Sequence, residues 1–263
     1  MFSIILVSWN NYSYLKTTID SIRKNSSFDH QIVVHLNEQQ ESSYELLEHY
    51  NIKFTSSPTN LGLPYGANQA SKLATKDYIC LIDDDMYMLP NWDVNLLNFV
   101  TKNEIKDPFW ISSTMIEPTK GPITTISPAN YGSSPDSFNE DRLLKDYNSG
   151  KFKASNLVGI QATPLLLTRS SWESIGGYPE EFDKGIGSDD GLAMRLWNIG
   201  CRTFVCVEDS FIYHFQSKST SRLNDSVDHR QNREDQFVKL FNITSSEFRN
   251  NYIKVRTQWK KNS

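Results

Sequence analysis

Apolar residues in the first hundred positions come in short unbroken runs, separated by stretches whose apolar positions repeat at helical spacing. Phe2 to Val7, Gln31 to Leu36 and Tyr78 to Ile82 predict strands covered on both faces, with a shorter strand from Ile52 to Thr55. Between them Tyr14, Leu15, Thr18, Ile19 and Ile22, then Tyr44, Leu47 and Tyr50, then Ala67, Ala70, Leu73 and Ala74 mark helix faces. Alternation at this rate predicts right-handed βαβ units and a mostly parallel, Rossmann-like central sheet flanked by helices, an α/β fold of nucleotide-binding type. The second half is less regular. Strands are expected at Phe109–Ser113, Leu165–Leu167, Thr203–Val207 and Ser210–Phe215. Helices are expected around Leu143 and Leu144, from Trp172 to Ile175 before Gly176-Gly177, and from Asp189 to Ile199, with Ser188 as cap and Gly200 as stop. Pro118 to Pro135 is rich in Pro, Gly, Ser and Thr and reads as a long functional loop. The pattern divides into an α/β unit over 1–223, with halves 1–105 and 106–223, and a helical extension over 224–263.

The strand at Tyr78–Ile82 runs straight into Asp83-Asp84-Asp85. In an open parallel sheet the carboxyl end of a strand is where ligands bind. Adjacent carboxylates repel, so the plain reading is a solvated acidic turn and the functional one is a divalent cation on oxygen ligands. Hard carboxylates select magnesium, calcium or manganese over soft metals, and a cation there would let a diphosphate approach. Composition narrows the class. With 263 residues, 38% hydrophobic and 22% charged, the chain is an ordinary soluble globular protein, and its net charge of -4 argues against a nucleic-acid partner. No apolar run approaches the roughly 18 residues of a membrane span, although peripheral membrane contact stays open. Phe2–Val7 is too short for a signal-peptide core. Cys80, Cys201 and Cys206 lie in or beside apolar runs and read as buried thiols, which suggests a cytoplasmic protein.

Two further clusters carry candidate chemistry. Asp189 and Asp190 open a helix, where a carboxylate satisfies free backbone amides but can also act as a general base. If Ser188 takes the capping duty, Asp189 is left to face a cleft. His214 lies between two aromatics and reads either as a packed residue or as an extra ligand suited to manganese. Lys218 and Arg222 follow on a hydroxyl-rich segment, placed to neutralise a leaving phosphate within a lid expected over Gln216–Arg233. Trp9 at the end of the first strand reads as a buried aromatic or a surface for a nucleobase, and Asn37 and Glu38 offer groups to a base edge. Met86, Met88 and His35 are assigned to packing, and His30, His49 and His229 to the surface.

Taken in order, Ile4-Ile5-Leu6-Val7-Ser8-Trp9-Asn10, Asn60-Leu61-Gly62 with Ala67-Asn68, Ile82-Asp83-Asp84-Asp85, Gly176-Gly177-Tyr178, and Ser188-Asp189-Asp190 with Arg195-Leu196 and Gly200 resemble the inverting glycosyltransferases of family 2, which have the GT-A fold. The resemblance runs to about Thr220 and makes the aspartates a D-x-D motif. It implies a nucleotide-diphospho-sugar site drawn from Val7, Ser8, Trp9, Asn10, Asn37, Asn60, Gly62, Asn68, Asp83 and Asp84. Asp85, with Asp84 and His214, would hold Mn2+ or Mg2+. It also implies a catalytic base at Asp189 rather than Asp190, counted back from Arg195, and a hydroxyl acceptor such as a glycan in polysaccharide biosynthesis. The acceptor would meet the loop from Glu117 to Asn139, Trp172 and the segment after His214. Two departures stand out: Ser188 replaces the usual Glu, and Leu36-Asn37-Glu38 replaces the acid that reads uracil, so UDP is favoured with GDP or dTDP open. The rivals are a nucleotidyltransferase, whose Gly-rich basic loop is not what Ser8-Trp9-Asn10-Asn11 provides, and a haloacid-dehalogenase-type phosphatase, which wants Thr or Val where Tyr87 stands. A non-catalytic glycan- or nucleotide-binding module is the third.

Overall fold

In the computed structural model the described residues are 1–37, 40–120, 126, 128–161, 163–182, 185–216 and 229–257, without the side chains of 229–231. The first half follows the predicted alternation. β1 (Phe2–Ser8), α1 (Tyr12–Asn25), β2 (Gln31–Asn37), α2 (Glu41–His49), β3 (Lys53–Ser57), α3 (Gly62–Ser71) and β4 (Tyr78–Asp83) come in that order. β1 pairs in parallel with both β2 and β4, and β2 with β3. The run in β1 is unbroken because both its faces are covered. Ile4 and Leu6 join Leu15, Ile19 and Ile22 of α1, while Ile5 points to Ala67 and Ala70 of α3 on the other side. Gly66 lets α3 lie close to the sheet: a Cβ there would stand 2.7 Å from Val7 Cγ1 and 2.8 Å from His35 Cδ2.

The second half adds β5 (Met86–Met88), α4 (Trp92–Lys102), β6 (Trp110–Ile116), α5 (Glu140–Asn148), β7 (Leu157–Val158), β8 (Leu165–Thr168), α6 (Arg169–Ile175), α7 (Ser188–Asn198) and β9 (Phe204–His214). The sheet has nine strands in the order β3-β2-β1-β4-β8-β6-β9-β5, with β7 on β9. Parallel pairing holds from β3 to β4 and between β6 and β9, and the pairs made by β5, β7 and β8 are antiparallel. Because β8 runs opposite to both β4 and β6, the carboxyl ends of β1, β2, β4, β6 and β9 share one edge. The stretch expected as two strands is one, β9. The β6–β9 register shifts between Ser113 and Thr114, and polar Glu208 and Asp209 fall in that irregularity, which hid its continuity.

Two placements differ from expectation and one agrees. His30 is not at the surface: its side chain is 1% exposed and its Nε2 lies 2.9 Å from Asp93 Oδ2. Trp172 is buried in the core against the edge of Tyr178 and cannot meet an acceptor. Met86 and Met88 are buried, as is His35, which bonds Thr55 at 2.8 Å. The extension, with α8 (His229–Phe241), α9 (Ser245–Glu247), a π-helical turn (Phe248–Ile253) and α10 (Lys254–Arg256), is packed into the main core. Phe237, Phe248 and Ile253 are buried in the same cluster as Leu196 and Trp197 of α7. Phe248→Ala is therefore expected to cost about 3–5 kcal/mol in urea unfolding. A loss below about 1 kcal/mol would mean that the extension is only loosely attached.

Candidate functional site

The aspartates sit where β4 turns into β5, and the turn is pinned from both sides. Thr18 of α1 donates its hydroxyl to the Asp84 carbonyl at 2.8 Å and accepts from the Met86 amide at 3.1 Å. The Phe215 amide donates to the Asp85 carbonyl at 3.0 Å. Antiparallel pairing then sets Met86 opposite His214, which carries the imidazole to the aspartates. Asp83, Asp85 and His214 each present a ligand atom, and these atoms lie within 4.8 Å of one another.

The three carboxylates have different partners. Asp83 accepts from Thr163 Oγ1 at 2.5 Å, and burial followed by the charge of Asp85 raises its pKa. Asp85 Oδ2 lies 3.3 Å from His214 Nε2. Asp84 accepts from Ser8 Oγ at 2.5 Å and Asn11 Nδ2 at 3.0 Å. Burial, then the charge of Asp85, pushes Asp84 up to about 8 against those hydrogen bonds. Asp84 thus braces the loop after β1, apart from the Asp83, Asp85 and His214 group. His214 has an opposite bias. Burial alone would lower its pKa, but Asp85 and the Glu117 hydrogen bond lift it to about 10. Its Nδ1 lies 2.8 Å from Glu117 Oε1, so a second acid aims the ring. The acids therefore draw positive charge to this spot, and hard oxygens with one imidazole suit Mn2+ or Mg2+.

Asp189 is held by the Tyr178 hydroxyl, which donates to its Oδ1 at 3.0 Å. Burial first, and next the charge of Asp83, raise Asp189 to about 7, while the Tyr178 bond pulls the other way. Tyr178 is itself clamped by Asn68 of α3. Asn68 Oδ1 accepts from the Tyr178 amide at 2.9 Å and its Nδ2 donates to the Tyr178 carbonyl at 3.0 Å. Gly177 has φ +71, and a Cβ there would strike Asn68 Oδ1. Arg195 donates to the Gly177 carbonyl at 3.1 Å and fixes the same turn. The cap is one residue earlier than expected: Gly187, at φ 88, precedes the helix, and Ser188 is its first residue, donating to the Gly185 carbonyl at 2.8 Å. Asp190 is buried, and its Oδ1 lies 2.5 Å from Arg249 Nη2. Asp189, half-buried, is the more accessible of the pair.

Several residues expected to touch a nucleotide serve the scaffold instead. Ser8 is buried on Asp84. Asn37 is buried and holds the loop before α3, accepting from the Leu61 amide at 3.2 Å and donating to the Gly62 carbonyl at 3.0 Å. Asn60 accepts from the Gly62 amide at 2.9 Å, and Asn68 is committed to Tyr178. Gly62 supplies the left-handed φ of 89 that this turn requires. Val7 is half-buried opposite Asp83, Trp9 is half-buried, and Asn10 is exposed at the end of β1. Glu38, Lys218, Arg222 and most of the expected lid lie outside the described residues. Glu117, Thr163 and Asn11 were missed. Glu117 follows β6 as Asp83 ends β4, but the strand was expected to stop at Ser113.

The sequence profile described as Glycosyl transferase family 2 matches residues 3–151. No protein of curated function matches the sequence. Among solved structures, a mannosyltransferase from Pyrobaculum calidifontis in complex with GDP-Man and Mn2+ is similar, with a TM-score of 0.62 at 14% identity, over 94% of this chain and 66% of that one. GalNAc-T7 with UDP, GalNAc and Mn2+ gives 0.61 at 15% identity, over 81% of this chain and 43% of its own. TarS residues 1–349 from S. aureus gives 0.59 at 14% identity, over 94% and 74%. These likenesses establish the GT-A fold. With the profile covering more than half its length, the chain belongs to glycosyl transferase family 2.

Proposed function

We propose that the protein moves a sugar from a nucleotide-diphosphate sugar, with UDP favoured, to a hydroxyl of a glycan or similar acceptor, inverting the anomeric centre with the help of Mn2+ or Mg2+. The observation that carries this reading is the convergence of Asp83, Asp85 and His214 at the edge of the sheet, electrostatically coupled to Asp189 on α7. Two similar structures, one with UDP and one with GDP-Man, contain Mn2+, which supports the choice of metal. Three buried free thiols support a reducing, cytoplasmic setting, and among the described residues no helix is long and apolar enough to cross a membrane.

Asp85 and His214, with Asp83 beside them, would hold the metal, and Glu117 would keep the imidazole oriented. Bound there, a divalent ion supplies positive charge against a departing diphosphate. Asp84 serves by fixing the turn, and Ser8 and Asn11 keep it out of the way. Asp189 takes the proton of the acceptor hydroxyl as the new bond to the anomeric carbon forms and the bond to the diphosphate oxygen breaks. A base titrating near 7 is matched to that task at neutral pH. Tyr178 fixes one carboxylate oxygen so that the base keeps its aim. Trp9, which follows β1, would pack on the base of the nucleotide.

A panel of nucleotide sugars with and without manganese tests the reading. One donor should stabilise the protein only with metal, by about 2.7 kcal/mol at a hundredfold excess over Kd and seen as a raised melting temperature, and Asp85→Ala should abolish the effect. An unchanged response in that variant would move the metal elsewhere. Asp189→Asn should cut transfer by about 10²–10⁴-fold while donor affinity holds, and a wild-type rate would remove Asp189 from the mechanism. Tyr178→Phe removes a hydrogen bond that lowers the pKa of Asp189, so the acid limb of kcat/KM, expected near 7 with Tyr178 in place, should move to higher pH. An unmoved limb would show that Tyr178 does not act on the base.

A further inference from the structure

The cavity on the far flank of the site is not used by this mechanism. It measures about 730 Å³, within the usual range for a ligand pocket, and opens between the chain after β6 and the chain after α5. Its polar wall is Arg142, Lys151, Lys153 and Asn130, and its apolar wall includes Phe152 and Ile126, with no acid among the lining residues described. The protein as a whole carries a net charge of -4, so a concavity walled by three cations runs against the overall sign. Lys151 pairs with Asp146 at 2.5 Å, and the Arg142 charge also acts on that carboxylate. Arg142 and Lys153 are exposed and make no ion pair with a described residue. One ring organises two of the cations: the Arg142 guanidinium lies 5.3 Å and Lys151 Nζ 5.9 Å from the centre of Tyr131.

The wall is tied to the reaction edge. The Ala129 amide, in the wall, donates to the Glu117 carbonyl at 2.9 Å, and the Glu117 side chain aims His214. The Tyr131 amide donates to the hydroxyl of Tyr213, the neighbour of His214, at 3.1 Å. A nucleotide diphosphate at the aspartates would be met by the metal and by the loop after β1, which leaves these cations without a part in donor binding. We propose that this cavity binds an anionic unit of the acceptor, a phosphate or carboxylate borne on an oligosaccharide, next to the unit that receives the sugar. The cations meet the charge and Phe152 offers an apolar surface to the sugar ring. The assignment of this anion to an acceptor rests on the transferase reading; binding of the anion itself does not.

The test is binding without donor or metal, by calorimetry, of three probes: an oligogalacturonate, a phosphodiester-linked glycerol oligomer and a neutral malto-oligosaccharide. At least one anionic probe should bind tenfold or more tightly than the neutral one, and weaken as salt rises. In the double variant Arg142→Glu/Lys153→Glu that preference should vanish, with the melting temperature and manganese-dependent nucleotide binding unchanged. Preference for one anionic probe identifies which group the cavity takes. Equal binding of the neutral probe, absence of binding by all three, or an anionic preference that survives in the double variant would overturn the proposal. Loss of manganese-dependent nucleotide-sugar binding in the native protein, with oligomer binding intact, would instead overturn the transferase reading and leave the anion site standing.

Discussion

Three consecutive carboxylates at the end of a buried strand cannot all remain anions in one low-dielectric place, because burial and mutual repulsion both disfavour the charge. The fold separates them by giving each a different partner. Asp84 turns to Ser8 and Asn11, Asp83 to Thr163, and Asp85 to His214. The hydroxyl of Thr18 then holds the backbone of the turn so that these directions are kept. What is left is a pair of acids and an imidazole whose ligand atoms converge as a cation site would require, with the third acid turned to the loop after β1. Much of the scaffold follows from this division. α1 supplies Thr18, β5 pairs with β9 to deliver His214, and β6 ends where Glu117 can hold its ring.

The second constraint is that Asp189 and the aspartates lie close enough to interact although they come from opposite halves of the chain. Asn68 makes that connection mechanically. It belongs to α3, before the aspartates, yet both of its amide groups bond the backbone of Tyr178, whose hydroxyl then reaches Asp189. A displacement of α3 would therefore be felt at Asp189 through two hydrogen-bonded links. Asp83 connects them electrostatically, since its charge is the second largest reason that Asp189 titrates near 7. Burying these acids near one another is costly for folding, and it raises the proton affinity of Asp189.

The sheet and its first three crossovers were legible because burial on both faces leaves unbroken apolar runs that alternate with helix faces. The aspartate turn, His214 and Asp189 were legible because each lies at the end of such an element. Asn37, Asn60 and Asn68 were not. A buried amide that braces a turn and one that touches a ligand have the same composition, and only the partner distinguishes them. His30 was misplaced for the same reason: its polar neighbours in sequence say nothing of Asp93, 63 positions away, which pairs with it in the interior. Glu117 and Thr163 escaped because their roles depend on where β6 and β8 stop or start, and strand limits are the weakest part of a periodicity reading.

The stretch that matches the family profile ends at residue 151, before α7 and before β9, so the environment of Asp189 belongs to the part of the chain that the profile does not cover. That environment is built in part by the extension. Asp190 follows Asp189 and is buried, and its compensating charge is Arg249, which comes from the π-helical turn. The widened turn presents Phe248 to the core and Arg249 to α7 in successive positions, and Arg249 also reaches the Ile160 carbonyl at 3.3 Å. Removing one partner of a buried pair leaves an uncompensated charge, which is strongly destabilising. The extension therefore does more than cover an apolar face. By placing a positive charge beside Asp190 it lets two adjacent acids open α7, with Asp189 the more exposed of the two.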